Sequence, residues 1–196
     1  MTAHPSLLRV ADTVIVAVDL QSTFLRVVHD SDRVAANSRL LIQSAAILGV
    51  PVITTTQNAA RLGGIDDRIA GLLIAPSPFQ GEGRGEVSVV DKMTFSCARS
   101  EGFLKALVGL NRRQIVLCGV ETHICVTQTA LDLVASGYQV HVAVDAVSSR
   151  SMEKHKLGME RLRDNGALPI AAESVVYELL GQAGTTEFKQ ILPLIK

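Results

Sequence analysis

The chain has three cysteines, Cys97, Cys118 and Cys125, and no CxxC pair among them. An odd, scattered set argues against a disulfide scaffold or a thiolate metal site and suits a reducing compartment. No run of basic residues is present, and Lys+Arg and Asp+Glu balance at 19 each. Nothing here could neutralise successive phosphates of a nucleic acid, so the expected partner is a small-molecule substrate. No apolar run reaches the roughly 18 residues that span a bilayer. The start, "MTAHPSLLRVADTVIVAVDL", has no basic segment ahead of a long apolar one. The expectation is a cytoplasmic protein without a membrane partner. The first strand is followed by Asp19 rather than by a G-x-G-x-x-G turn, which speaks against a nucleotide-binding redox domain.

Apolar residues, by contrast, are plentiful. They make up 47% of 196 residues against 19% charged, enough for one large core, with some left for a subunit interface. A single domain over 1–196 and a homo-oligomer are expected. Six short β-branched stretches alternate with longer stretches of helical period: 13–20, 51–57, 86–92, 114–120, 139–146 and 167–173. That alternation predicts an α/β fold, a three-layer doubly wound sandwich around a six-stranded, mainly parallel sheet. Val34, Leu41, Ala45 and Leu48 share one helix face, stopped by Gly49 and Pro51. Further helices are predicted near 99–109, 124–136, 152–165 and 174–195, the last broken near 181–185. Two segments read as irregular, "NAARLGGID" and "IAPSPFQGEGRGE", and the second is a candidate wall or lid of a pocket.

Ligands of open parallel sheets collect at the carboxyl ends of the strands. Asp19, Gln57 and Lys92 close the first three strands, and Cys125 lies in the turn after the fourth. A carboxylate, an ammonium and a thiol in one crevice are the parts of a nucleophilic hydrolase. A helix N-terminus and a cation would lower the thiol's pKa, and Asp19 would take its proton and deliver it to a leaving group. Lys92 would stabilise both anions, and backbone N–H groups of "GVETHIC" could face the oxyanion. Cys118, inside an apolar strand, and Cys97 read as packing residues.

"VAVDLQSTF", "VVDKMTFS" and "LCGVETHICVTQTALDLVASGYQVHVAVDAVSSR" resemble the isochorismatase-like cysteine hydrolases, a superfamily that includes nicotinamidases and N-carbamoylsarcosine amidases. The resemblance runs along nearly the whole chain and is nearest to the isochorismatase domain-containing group. It implies Cys125 as nucleophile, Asp19 as general base and Lys92 as third member of a triad. It also implies a cis peptide between Val120 and Glu121 that turns the N–H groups of Glu121 and Cys125 toward the oxyanion. Phe24 matches a position where the family sets an aromatic ring against substrate; Gln21, Gln57 and Phe95 are the other candidate pocket residues.

Nicotinamidases carry an Asp-x-His metal motif after the second strand. Here "TTTQNAARLGG" stands in its place, and no histidine lies between His29 and His123. No metal and no cofactor are therefore expected. His123, two residues before Cys125, reads as a loop or interface residue rather than as the base. The bond cleaved stays open between an amide or carbamoyl C–N bond and the vinyl ether of isochorismatase itself, and a non-catalytic binding protein on the same fold is the alternative.

Overall fold

A computed structural model of the chain describes residues 4–74 and 87–196. The segment proposed as a pocket wall, 76–86, lies outside the described residues. Among those that are described, six strands form one sheet: β1 Thr13–Val18, β2 Val52–Gln57, β3 Val87–Lys92, β4 Gln114–Val120, β5 Gln139–Ser148 and β6 Leu168–Ile170. Their order is β3-β2-β1-β4-β5-β6, and every neighbouring pair is parallel, where a mainly parallel sheet was expected. β1, β2 and β4 are buried along their whole length. Valine, isoleucine and threonine suit such strands because a branched Cβ packs well on both covered faces of a pleat.

The helices are α1 Ser22–Leu25, α2 Ser31–Leu48, α3 Ala59–Leu62, α4 Asp67–Ile74, α5 Glu101–Gly109, α6 Thr127–Ala135, α7 Met152–Asp164, α8 Ala172–Leu180 and α9 Thr186–Ile195. They sort onto the two sheet faces as period-2 alternation dictates. Ile15 and Ala17 of β1 face α2, α4, α8 and α9, meeting Leu41, Ile69, Val176 and Ile191. Val14, Val16 and Val18 face α5, α6 and α7, meeting Phe103, Leu133 and Leu162. Each layer removes more than a dozen apolar side chains from water, at roughly 1.5–3 kcal/mol for each large one.

Several boundaries differ from expectation for local reasons. "NAARLGGID", read as irregular, contains α3 and leads into α4, whose Ile69, Leu72 and Leu73 make a short apolar stripe. Gly63 and Gly64 just ahead hide so brief a signal. β6 is three residues long because Ala172, read as its continuation, already opens α8, where its N–H donates to Asp145 Oδ1 at 2.8 Å. Regular helix begins at Thr127, not 124, because Thr122–Val126 winds as a π-turn, with the Val126 N–H donating to the Glu121 carbonyl. Such wider turns tend to occur where a side chain must be re-aimed.

Candidate active site

The winding direction of the sheet reverses between β1 and β4, which opens a crevice above their carboxyl ends. Asp19 follows β1 with a left-handed φ of 49°, so the chain turns sharply there. Its carboxylate is fully buried and doubly held: Oδ1 accepts from the Thr55 hydroxyl at 2.8 Å and Oδ2 from Lys92 Nζ at 2.8 Å. Lys92 ends β3, two strand spacings or roughly 10 Å from β1. Only a long side chain covers that distance. Its ammonium passes Gln57, the residue beside it in the β2–β3 register, and donates to Gln57 Oε1 at 2.7 Å on the way. The ion pair is shut off from water, its two side chains 0% and 1% exposed.

Cys125 sits inside the π-turn between β4 and α6 and lines a cavity of about 130 Å³ with Asp19, Phe24, Gln57, Phe95, Val120, Glu121, Ile124 and Arg150. The Val120–Glu121 peptide at the cavity wall is cis. The turn does not lower the Cys125 pKa as expected. Burial pushes the thiol up, and the Asp19 carboxylate pushes it further, while the opposing pull of Lys92 is too weak to compensate. The sulfur therefore rests as a neutral thiol beside a preformed carboxylate–ammonium pair. Burial also raises Cys97, to about 11, and Cys118, to about 12. Cys118 packs on the α2 and α8 face of the sheet, opposite the face that holds Cys97 and Cys125.

Of the four expected pocket residues, Phe24, Gln57 and Phe95 line the cavity. Gln21 is not among the lining residues. It is buried, its amide donating to the carbonyls of Gly63 at 2.6 Å and Gln57 at 3.2 Å. His123 is absent from the lining as well, its Nδ1 lying 2.9 Å from the Ser149 hydroxyl. Two participants escape sequence reasoning. Thr55 lies two residues before Gln57 and so on the same face of β2, a spacing that could have flagged it. Arg150 follows β5, as Asp19 follows β1, and the strand-end rule applies to it equally.

Arg150 grips the Glu121 carboxylate through Nε, Nη2 and its own backbone N–H, the last at 2.8 Å. Burial pushes the Glu121 carboxyl up, but these bonds together outweigh it and hold the pKa below the usual range. A group depressed in the fold adds stability that is complete above its unfolded value and is lost as the pH falls through its folded value. The Arg150 side chain is 52% exposed, which dilutes the pair. Arg150→Met should therefore cost about 1–3 kcal/mol in urea unfolding at neutral pH. The difference from the unsubstituted protein should shrink as the pH falls through the depressed folded value of Glu121, below which the carboxyl is neutral in both. An equal difference at both pH values would mean that the ion pair is not what Arg150 contributes. Among the described residues, no group of three His, Cys, Asp or Glu side chains is arranged to hold a metal ion. No helix among them is long and apolar enough to cross a membrane.

Residues 13–174 match the Isochorismatase domain. The secreted isochorismatase effector Isc1 of Phytophthora sojae is 37% identical over 185 residues, which cover 94% of this chain and 84% of that protein. Among solved structures, the MAR1 ribonuclease of Caenorhabditis elegans superposes with a TM-score of 0.83 at 30% identity, covering 96% of this chain and 91% of its own. YcaC from Escherichia coli, an octameric hydrolase of unknown specificity, shares the fold with a TM-score of 0.84 at 21% identity, covering 98% and 92%.

Proposed function

Because the chain belongs to the isochorismatase family, we propose that it is a cysteine hydrolase that cleaves the C–N bond of a small amide or carbamoyl compound through a covalent intermediate on Cys125. The observation that carries this reading is the buried Asp19–Lys92 pair at 2.8 Å, whose Asp19 lines the same cavity as the Cys125 thiol. A binding site has no use for an unhydrated ion pair whose assembly costs desolvation.

In the proposed reaction the thiol proton passes to Asp19 as sulfur forms a bond to the substrate carbonyl carbon. The resting thiol is neutral, so deprotonation and attack are coupled and no free thiolate accumulates. The carbonyl electron pair moves onto oxygen, which faces the backbone N–H groups of Glu121 and Cys125. As the C–N bond breaks, Asp19 returns its proton to the leaving nitrogen. Water then attacks the thioester, giving one proton to Asp19, which restores it to the departing sulfur. Lys92 stays charged throughout and stabilises whichever anion is present. Phe24, Phe95, Val120 and Ile124 form an apolar wall.

The cavity holds on the order of four or five water-sized groups, which suits a substrate of a few heavy atoms. The same size and the balanced charge of 19 against 19 speak against a polynucleotide substrate. Met93 and Phe95, exposed at 70% and 57% near the cavity, support self-association, as in octameric YcaC.

A panel of small amides, carbamoyl compounds, esters and a vinyl ether tests the reading. Turnover should concentrate in the first two classes and fall by at least about 10³ in Cys125→Ala, with a transient acyl adduct on Cys125 seen by mass spectrometry. Turnover that survives the substitution defeats the covalent mechanism. No turnover, together with tight capture of an unmodified ligand by Cys125→Ala, would point to a binding protein instead.

A further inference from the structure

Behind the Asp19–Lys92 pair stands a second tier of hydrogen bonds made by two glutamines. Gln57 has both ends of its amide engaged: Oε1 accepts from Lys92 Nζ at 2.7 Å, and Nε2 donates to the Met93 carbonyl at 2.9 Å. The orientation is forced, since an ammonium only donates and a carbonyl only accepts. Its main chain is gripped too. Gln21 Oε1 accepts from the Gln57 N–H at 2.6 Å, and Gln21 Nε2 donates back to the Gln57 carbonyl. Gln21 lies two residues beyond Asp19, so the two amides tie the carboxyl ends of β1, β2 and β3 together.

We infer that Gln57, braced by Gln21, is a positioning residue that holds Lys92 as a charged neighbour of Cys125, and that it must be a neutral acceptor to do so. This rests on the reading of Cys125 as nucleophile. A buried ammonium needs an acceptor for each proton, and Asp19 can supply only one without losing its own role as base. An amide oxygen fills a second place without adding negative charge beside a sulfur that must become anionic. The titratable groups that face Lys92 are Asp19 after β1, Cys97 in the turn before α5 and Cys125 in the π-turn; Asp91, the residue before it on β3, points to the opposite, exposed side, where it accepts from Thr56 and Ala59. Asp19 already supplies one carboxylate, so a second beside Lys92 would tip the balance against the thiolate.

The test follows iodoacetamide modification of Cys125 across pH in the full chain, with the adduct mapped by mass spectrometry. Gln57→Glu is nearly isosteric. While its introduced carboxyl is protonated it can still accept from Lys92 and donate to the Met93 carbonyl, so the rate should match the unsubstituted protein at low pH. Once ionised it should move the midpoint upward and slow the reaction about tenfold or more at neutral pH. Gln57→Leu, which removes the acceptor, should be slower at every pH. Profiles in both variants that superpose on the unsubstituted one overturn the inference; if Gln57→Leu does not fold, Gln57→Glu decides alone. Lys92→Ala separates the two levels. If it slows modification and the Gln57 variants do not, the clamp fails and the nucleophile reading stands. If it too changes nothing, the nucleophile reading fails and takes the inference with it.

Discussion

Asp19→Asn should cut hydrolysis by orders of magnitude while making Cys125 more reactive toward a simple alkylating agent. The two effects have opposite signs because Asp19 acts on the thiol in two ways. As a charge it is one of the causes that hold the thiol protonated, second only to burial. As a base, in the proposed mechanism, it carries a proton from sulfur to a leaving nitrogen and back. Asparagine keeps the shape and can still accept from Lys92, but it removes the charge and the basicity together. With the carboxylate gone, Lys92 is left facing sulfur without an anionic rival, and an ammonium–thiolate pair becomes the favourable distribution of charge. The thiol's midpoint should then move down, and each unit of that shift raises the thiolate fraction near neutral pH tenfold. Iodoacetamide needs no proton delivered to a leaving group, so its reaction should accelerate by about tenfold or more. An amide does need one, so turnover should fall by about 10² to 10⁴, the usual span for losing a general base. Parallel measurement of both rates on one preparation is decisive. If alkylation slows along with hydrolysis, Asp19 activates the sulfur rather than restraining it, and the neutral-thiol resting state is wrong.

The same pair of residues shows which parts of the site were legible in the amino-acid order. Asp19, Lys92 and Gln57 could be placed in one crevice because each closes a strand, and strand ends follow from periodicity. Thr55 follows the same logic at one pleat's remove. The direction of the thiol's pKa was not legible, because it depends on how the sheet splits its neighbours between water and interior. A helix start and a lysine both argue for a low value. Burial and a carboxylate that shares the lysine reverse it, and neither is visible until β1, β2 and β3 are laid side by side. Gln21 was misplaced for a related reason. Its place beside Phe24 suggests the pocket, but the reversal of the chain at Asp19 turns its amide to the carboxyl end of β2, where it braces main chain instead. The fold itself was more readable, since β-branched runs and helix-period runs carry their own pattern. The exceptions, α3, α4 and the shortened β6, lie where an element is too brief to show a period or where one side-chain cap, Asp145, starts the next helix early.

Gly119→Ala should be among the most damaging substitutions in the chain although it adds a single methyl group. Gly119 pairs with Val18 at the point where β1 and β4 diverge around the crevice, one residue before the Val120–Glu121 peptide. A Cβ there would lie 2.0 Å from the Val18 carbonyl oxygen and 2.7 Å from its nitrogen. These are backbone atoms of a fully buried central strand, so no side chain can swing aside to make room. Its φ of +110° adds a conformational cost of its own, since L side chains rarely adopt it. Relief would require β1 and β4 to separate, which would break the ladder beside Asp19 and move the π-turn that carries Cys125. A loss of about 4 kcal/mol or more is expected, which for a domain of this size lowers the melting temperature by roughly 10 °C or prevents folding. Gly137→Ala is the matched control. Its φ is +82°, but its Cβ would meet nothing within 4 Å. It therefore carries the backbone cost alone, about 1–2 kcal/mol. Thermal unfolding of the two variants side by side isolates the steric part. If Gly119→Ala melts within a few degrees of Gly137→Ala, the close approach of β1 and β4 is not what this glycine provides, and the rigid seam between Asp19 and the Cys125 turn has to be sought elsewhere.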